Sequence, residues 1–215
     1  MRLRLLILLA LTTLLSSCDT VYLDAMERVG IPKREILIDR IEDAQEAQED
    51  GQEQFKTALE QFRSVVNFDG GNLEKVYNEL NDEYEDSVAA AEEIRERIEA
   101  VESVANALFS EWEDELALYS NPKLKRDVEK QLQETRRKYS RLLSAMKRAE
   151  SSINPVLASL QDNVLYLKHS LNARAIASLK GELQNVDKDV STLIANMQKA
   201  IDESNAFIND LKSGQ

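Results

Sequence analysis

Two rows of mostly apolar residues run through the middle of the chain at intervals of seven. One row is Tyr77, Tyr84, Ala91, Ile98, Ala105, Trp112 and Tyr119, and the other is Leu73, Leu80, Ser87, Ile94, Val101 and Leu108. A period of about 3.5 residues, kept over about 47 residues, puts both rows on one stripe of a helix roughly 70 Å long. Such a segment cannot be a strand, whose side chains alternate with a period of two. Similar spacing follows on either side. Ile41, Phe55 and Phe62 alternate with Ala44, Ala58 and Val65, and Gln48 and Gly51 take core positions among them. Later come Leu132, Tyr139, Met146, Ile153 and Leu160, then Leu179, Val186, Leu193, Ala200 and Phe207. Only 6 Gly and 3 Pro serve 215 residues, too few for the many loops of a β-sandwich or an α/β fold. The fold class predicted is all-α: an elongated, antiparallel, coiled-coil-like bundle of about four long helices, running up-down-up-down.

Punctuation divides the pattern into helices over about 33–68, 72–119, 122–171 and 173–212. Asp69-Gly70-Gly71-Asn72 ends the first, because glycine accepts a left-handed cap and Asn72 can cap the next helix. Ser120-Asn121-Pro122 ends the second, with proline at a first-turn position where no donor is lost. Asn154-Pro155 lies inside the third, yet the heptad frame carries through, which predicts a kink rather than a reversal. Between Leu171 and Ile176 the frame slips, and Ser170 or Asn172 can cap the last helix. Counting about the first turn sets Gly51 opposite the region of Val88. Counting about the second sets Tyr139 near Val101 or Ala105.

Charge is unevenly spread. Residues 74–115 hold fifteen acids and three bases, whereas residues 121–150 hold ten bases and four acids. Folding about Asn121 would bring Glu92, Glu96 and Glu99 near Arg141, Lys147 and Arg148. Exposed pairs are worth under about 1 kcal/mol each, so they would set register more than stability. Near that turn Glu111, Glu113 and Asp114 oppose the dipole of their own helix, as Lys123, Lys125 and Arg126 oppose theirs. The formal charge of −12 argues against a nucleic-acid binder.

The amino terminus has a different logic. Arg2 and Arg4 precede an apolar run from Leu5 to Leu15, closed by Ser16-Ser17-Cys18. A run of eleven residues cannot cross a bilayer core that needs about 20 in helix, so residues 1–17 read as a signal peptide. Small residues before a cysteine resemble a bacterial lipobox, in which the thiol receives a diacylglyceryl group and the chain is cut before Cys18. A lone cysteine in an exported chain is otherwise an exposed-thiol liability. The cut would remove Arg2 and Arg4 and take the formal charge from −12 to −14, so anchoring would rest on the acyl chains. Asp19 follows directly, and by resemblance to enteric lipoproteins it favours the inner membrane over the outer. Residues 18–31 would form a membrane-proximal linker, 32–212 the bundle and 213–215 a tail.

Catalytic constellations are missing from the sequence. A di-iron bundle needs Glu-x-x-His on two helices, and the single histidine, His169, has Tyr166 three places before it. A P-loop needs a second glycine that the string from Gly51 to Lys56-Thr57 lacks. One Cys and one His leave no zinc site or Cys–His nucleophile. No enzyme, metal or cofactor is expected. Two segments are less plain than the rest, one around Phe68 and Asp69 and one around His169, Asn172 and Arg174. In an up-down-up-down bundle both turns lie at the same pole, opposite the membrane-side start, and their residues form a candidate partner-binding tip.

The strings KREILIDRIEDAQEAQE, FRSVVNFDGGNLEKVYNELNDEYE and LYLKHSLNARAIASLKGEL resemble a bacterial family classed as domain of unknown function 2959, over roughly Tyr22 to Phe207. The resemblance implies an all-helical protein of a Gram-negative bacterium and supplies no activity or site residues. The function expected is that of a lipid-anchored, periplasm-facing scaffold or adaptor that binds an envelope protein. One alternative is a self-assembling envelope coiled coil, in which a second copy covers the thin seam of Ala44, Gly51 and Ala58. Another is a cytoplasmic coiled coil whose amino terminus is misread.

Overall fold

The structure, a computed structural model, describes residues 23–213 apart from Asp24 and Glu27. The signal peptide, Cys18 and Asp19 lie outside the described residues. Four long helices follow in order: α1 (Lys33–Val66), α2 (Leu73–Leu118), α3 (Pro122–His169) and α4 (Ala173–Ser213). Among the described residues there is no strand, and the chain is an all-α bundle.

The turns are built by the residues that punctuate the sequence. Gly70 and Gly71 adopt positive φ, a region that side chains disfavour. The carboxamide oxygen of Asn72 accepts the backbone N–H of Lys75 at 3.2 Å. Asn121 accepts from Lys123 at 2.9 Å, and Asn172 accepts from Arg174 and Ala175 at 3.0 and 3.2 Å. Each cap satisfies donors that a helix start leaves orphaned, worth about 1 kcal/mol. At the end of α3 the N–H of Ser170 donates to the carbonyl of Leu167, tightening the last turn. Pro155 stays within α3, which runs on to His169. Its ring costs a helix interior about 3 kcal/mol, and the fully buried Ile153 and Val156 on either side hold the segment in place.

Contacts divide the chain into two compact units, where the sequence suggests one bundle. The first unit comprises residues up to Arg40 together with Glu99–Arg137. Its core includes Leu23, Leu37, Val101, Phe109 and Leu132. Lys33, itself buried, meets Glu111 at 3.3 Å. Arg136 of α3 donates to Glu113 of α2 at 2.5 Å and lies over the Phe109 ring, 5.2 Å from its centroid. Trp112 is half-buried in this unit.

The second unit comprises Ile41–Ile98 and the chain from Lys138 onward. Opposed pairs show that its helices alternate in direction. Gln61 and Gln54 of α1 donate to Glu79 and Glu83 of α2 at 3.2 and 2.9 Å. Arg95 of α2 bonds Asn154 of α3 at 2.9 Å. Lys138 of α3 pairs with Asp210 of α4 at 2.8 Å, and Tyr139 packs its ring against Phe207 at 6.0 Å. Lys212 of α4 returns to Glu42 of α1 at 3.0 Å, closing the bundle. The heptad residues of α1, α3 and α4 fill this core, each fully buried Leu, Ile or Phe contributing about 1.5–3 kcal/mol.

One expected contact differs. Gly51 faces Ile94, whose Cδ1 stands 2.7 Å from where a Cβ on residue 51 would be, while Val88 is exposed. Ile94 lies on the buried heptad row of Leu80 and Ser87, whereas Val88 falls one residue off it. Tyr139 meets the Phe207 ring of α4 at a tilt of 54°. Across the second hairpin Arg136 pairs with Glu113, and Glu92 with Arg95 and Lys147 with Glu150 also pair one turn away on their own helices.

Candidate partner-docking site

The five residues proposed as a tip belong to two turns of the second unit, and the helix register sets those turns at different heights. Arg63 pairs with Asp187, and Glu42 with Lys212. From either pair, α4 has far more residues back to Ala173 than α1 has forward to Val66. At 1.5 Å per residue the start of α4 stands roughly 15–20 Å beyond the end of α1. Phe68 is two residues past Val66 and can climb no more than about 7 Å of that distance. The half-buried Phe68 and exposed Asp69 therefore form a lower step, with the Phe68 ring 4.0 Å from where a Cβ on Gly71 would stand. His169, Asn172 and Arg174 share the α3–α4 turn, all exposed.

Within that turn the groups divide by role. Asn172 is committed to capping α4. Lys168 and His169 occupy the last turn of α3, where positive charge suits the helix dipole. Arg174 sits in the first turn of α4, where a cation is unfavourable by a few tenths of a kcal/mol up to about 1 kcal/mol. Its own helix gains nothing from that charge.

Apolar neighbours that the spacing did not single out complete the surface. Leu165, Tyr166 and Leu171 are 45%, 42% and 44% exposed, unusual for large apolar side chains in this protein. The Tyr166 hydroxyl is 3.3 Å from that of Ser178, which fixes the ring across the α3–α4 hairpin. The signal available in the sequence was their position off the heptad rows. Together they form an apolar ledge next to Lys168, His169 and Arg174, a positively charged end on a protein of formal charge −12.

Glu113 is the described carboxylate with a displaced acidity. The hydrogen bond from Arg136, aided by its charge, holds it below the ordinary glutamate range. This is an ion pair of the second hairpin and has no part in the α3–α4 surface. Among the described residues no trio of His, Cys, Asp or Glu is placed to hold a metal ion, and no helix is long and apolar enough to cross a membrane.

No curated protein matches the chain. The model of one family, described as protein of unknown function (DUF2959), matches residues 22–211. With nearly the whole helical region covered, the chain belongs to that family.

Proposed function

We propose that the protein is a lipid-anchored helical adaptor of the cell envelope that acts by binding, without catalysis, and presents the α3–α4 turn to a protein partner. The observation that carries this reading is the exposed ledge of Leu165, Tyr166 and Leu171 beside His169 and Arg174. Large apolar side chains left almost half exposed, rimmed by positive charge, suit an acidic and partly apolar protein surface. The lipobox-like ending at Cys18 supports the anchor, and Asp19 supports retention at the inner membrane, facing the periplasm.

Two experiments test the reading. The intact mass of the native protein from its own membranes, beside a Cys18→Ala variant, reports on the anchor: a chain starting at Cys18 with added acyl mass is expected, and an unacylated chain retaining Met1 would return it to the cytoplasm. Cross-linking from residue 171 in cells, with and without Arg174→Ala and Tyr166→Ala, reports on the tip. Adducts with an envelope protein are expected to diminish in both variants, whereas undiminished adducts would remove the tip from the reading. A Phe68→Ala variant is expected to have the smaller effect.

Self-assembly has weaker support than the sequence alone suggested. The small-residue seam of α1 is buried within the chain, with Ile94 and Met197 against Gly51. A second copy would need another face.

A further inference from the structure

The first unit carries an exposed surface of its own, at the α2–α3 turn. Leu118 is 82% exposed, and Tyr119 and Leu124 are 40% and 50% exposed. Lys123, Lys125 and Arg126 follow at once, all exposed, and no acid lies between Leu118 and Arg126. Their placement in the first turns of α3 disfavours that helix, so they are not there to stabilise it. Asp127 and Glu129 come directly after them on α3, both exposed, and further acids stand behind them on α2. Of these Glu111 is held by Lys33 and Glu113 by Arg136, leaving the exposed Asp114 and Glu115 at the rear edge.

We infer that this turn rests on the phospholipid bilayer, with Leu118, Tyr119 and Leu124 entering the headgroup layer and the three basic side chains meeting anionic phosphate. The inference deepens the proposed function and rests on its lipid anchor. Two placements bring the turn to the lipid. Leu23, 2% exposed, packs in the first unit only five residues after Cys18, a stretch of at most about 18 Å. The Lys33–Glu111 pair sets the start of α1 beside the final turns of α2, about two turns before the exposed Leu118. Apolar tips flanked by lysine and arginine are the composition that lies in a membrane interface. The protein's negative charge as a whole opposes such contact, and the turn is where the sign reverses.

The test uses the acylated full-length protein in vesicles of phosphatidylethanolamine and phosphatidylglycerol. Its lone cysteine is blocked by lipid, so Leu118→Cys and, as control, Leu171→Cys each offer one free thiol for an environment-sensitive fluorophore. The probe at 118 is expected to shift to the blue and be quenched by doxyl-labelled lipid, whereas the probe at 171 stays aqueous. Reversing Lys123, Lys125 and Arg126 to Glu is expected to lower lipid contact at 118 by about fivefold or more per residue at low salt. If the acylated wild type refuses the dye and the 118 probe reads water as the 171 probe does, the anchor stands and the membrane contact is overturned. Shielding of the 118 probe from aqueous iodide without lipid quenching overturns it too, in favour of a protein cover. If the wild type itself takes the dye, Cys18 is unacylated and the anchor fails first.

Discussion

Gln48 lies fully buried in the second unit, and among the described residues neither of its amide atoms meets a hydrogen-bond partner. Gln52, one turn on, has a buried amide nitrogen in the same condition. A buried polar group without a partner costs about 1–3 kcal/mol, and an apolar side chain of like shape removes that cost. Gln48→Met is therefore expected to raise stability by about 1–2 kcal/mol in urea unfolding. A loss would show that water bridges the two amides. Gly51 nearby gives a second expectation. Alanine favours the helix by about 1 kcal/mol over glycine, but its Cβ would press on Ile94. Gly51→Ala is thus expected to be neutral or destabilising in the wild type and stabilising by about 1 kcal/mol beside Ile94→Val, which deletes the obstructing methyl. Spacing alone identified both Gln48 and Gly51 as core positions. What each one touches was not legible, because contact depends on the coiling of α1 against α2 and α4.

Between α2 and α3, one arginine joins several local preferences. Arg136 satisfies Glu113 and stacks on Phe109, so a planar cation is required there. Arg136→Lys is expected to keep the charge pair and lose the stacking, lowering stability by about 0.5–1 kcal/mol. Arg136→Gln should also let Glu113 titrate within the ordinary range, a change visible in its carboxyl carbon shift. The depressed acidity of Glu113 contributes stability that is full above the unfolded-state value and is lost as pH falls through the folded value. That dependence should disappear in Arg136→Gln. Helix limits were the most legible feature, since Gly70, Gly71, Asn72, Asn121 and Asn172 act through neighbours one to three residues away. Charge pairing was less so: opposite blocks of charge announce that two helices attract without saying which acid meets which base, and Arg95 and Lys147 each also meet a carboxylate on their own helix.

Each unit has its own core, and only the first contains tryptophan, at Trp112. The first unit draws on three helical segments and the second on four, so the first is expected to open more readily. Amides of α2 after Glu99 should exchange faster than those before Ile98. Trp112 fluorescence should change at lower urea than helical ellipticity, and coincident curves would mean one cooperative unit. The heptad frame conceals this division, because its rows run unbroken through residues 98 and 99. The candidate docking surface was only half legible. Arg174 and His169 stand out by composition, whereas the exposure of Leu165, Tyr166 and Leu171 follows from α3 and α4 reaching past α1, a length difference that local pattern does not reveal.

The first turn has one more use. Lipid processing at Cys18 would remove anything fused ahead of it. Gly70 is exposed, and a side chain built on it would meet nothing within 4 Å. An epitope spliced between Gly70 and Gly71 would leave both helix ends intact, giving a handle for tracking the protein in living cells without disturbing its anchor or the α3–α4 turn.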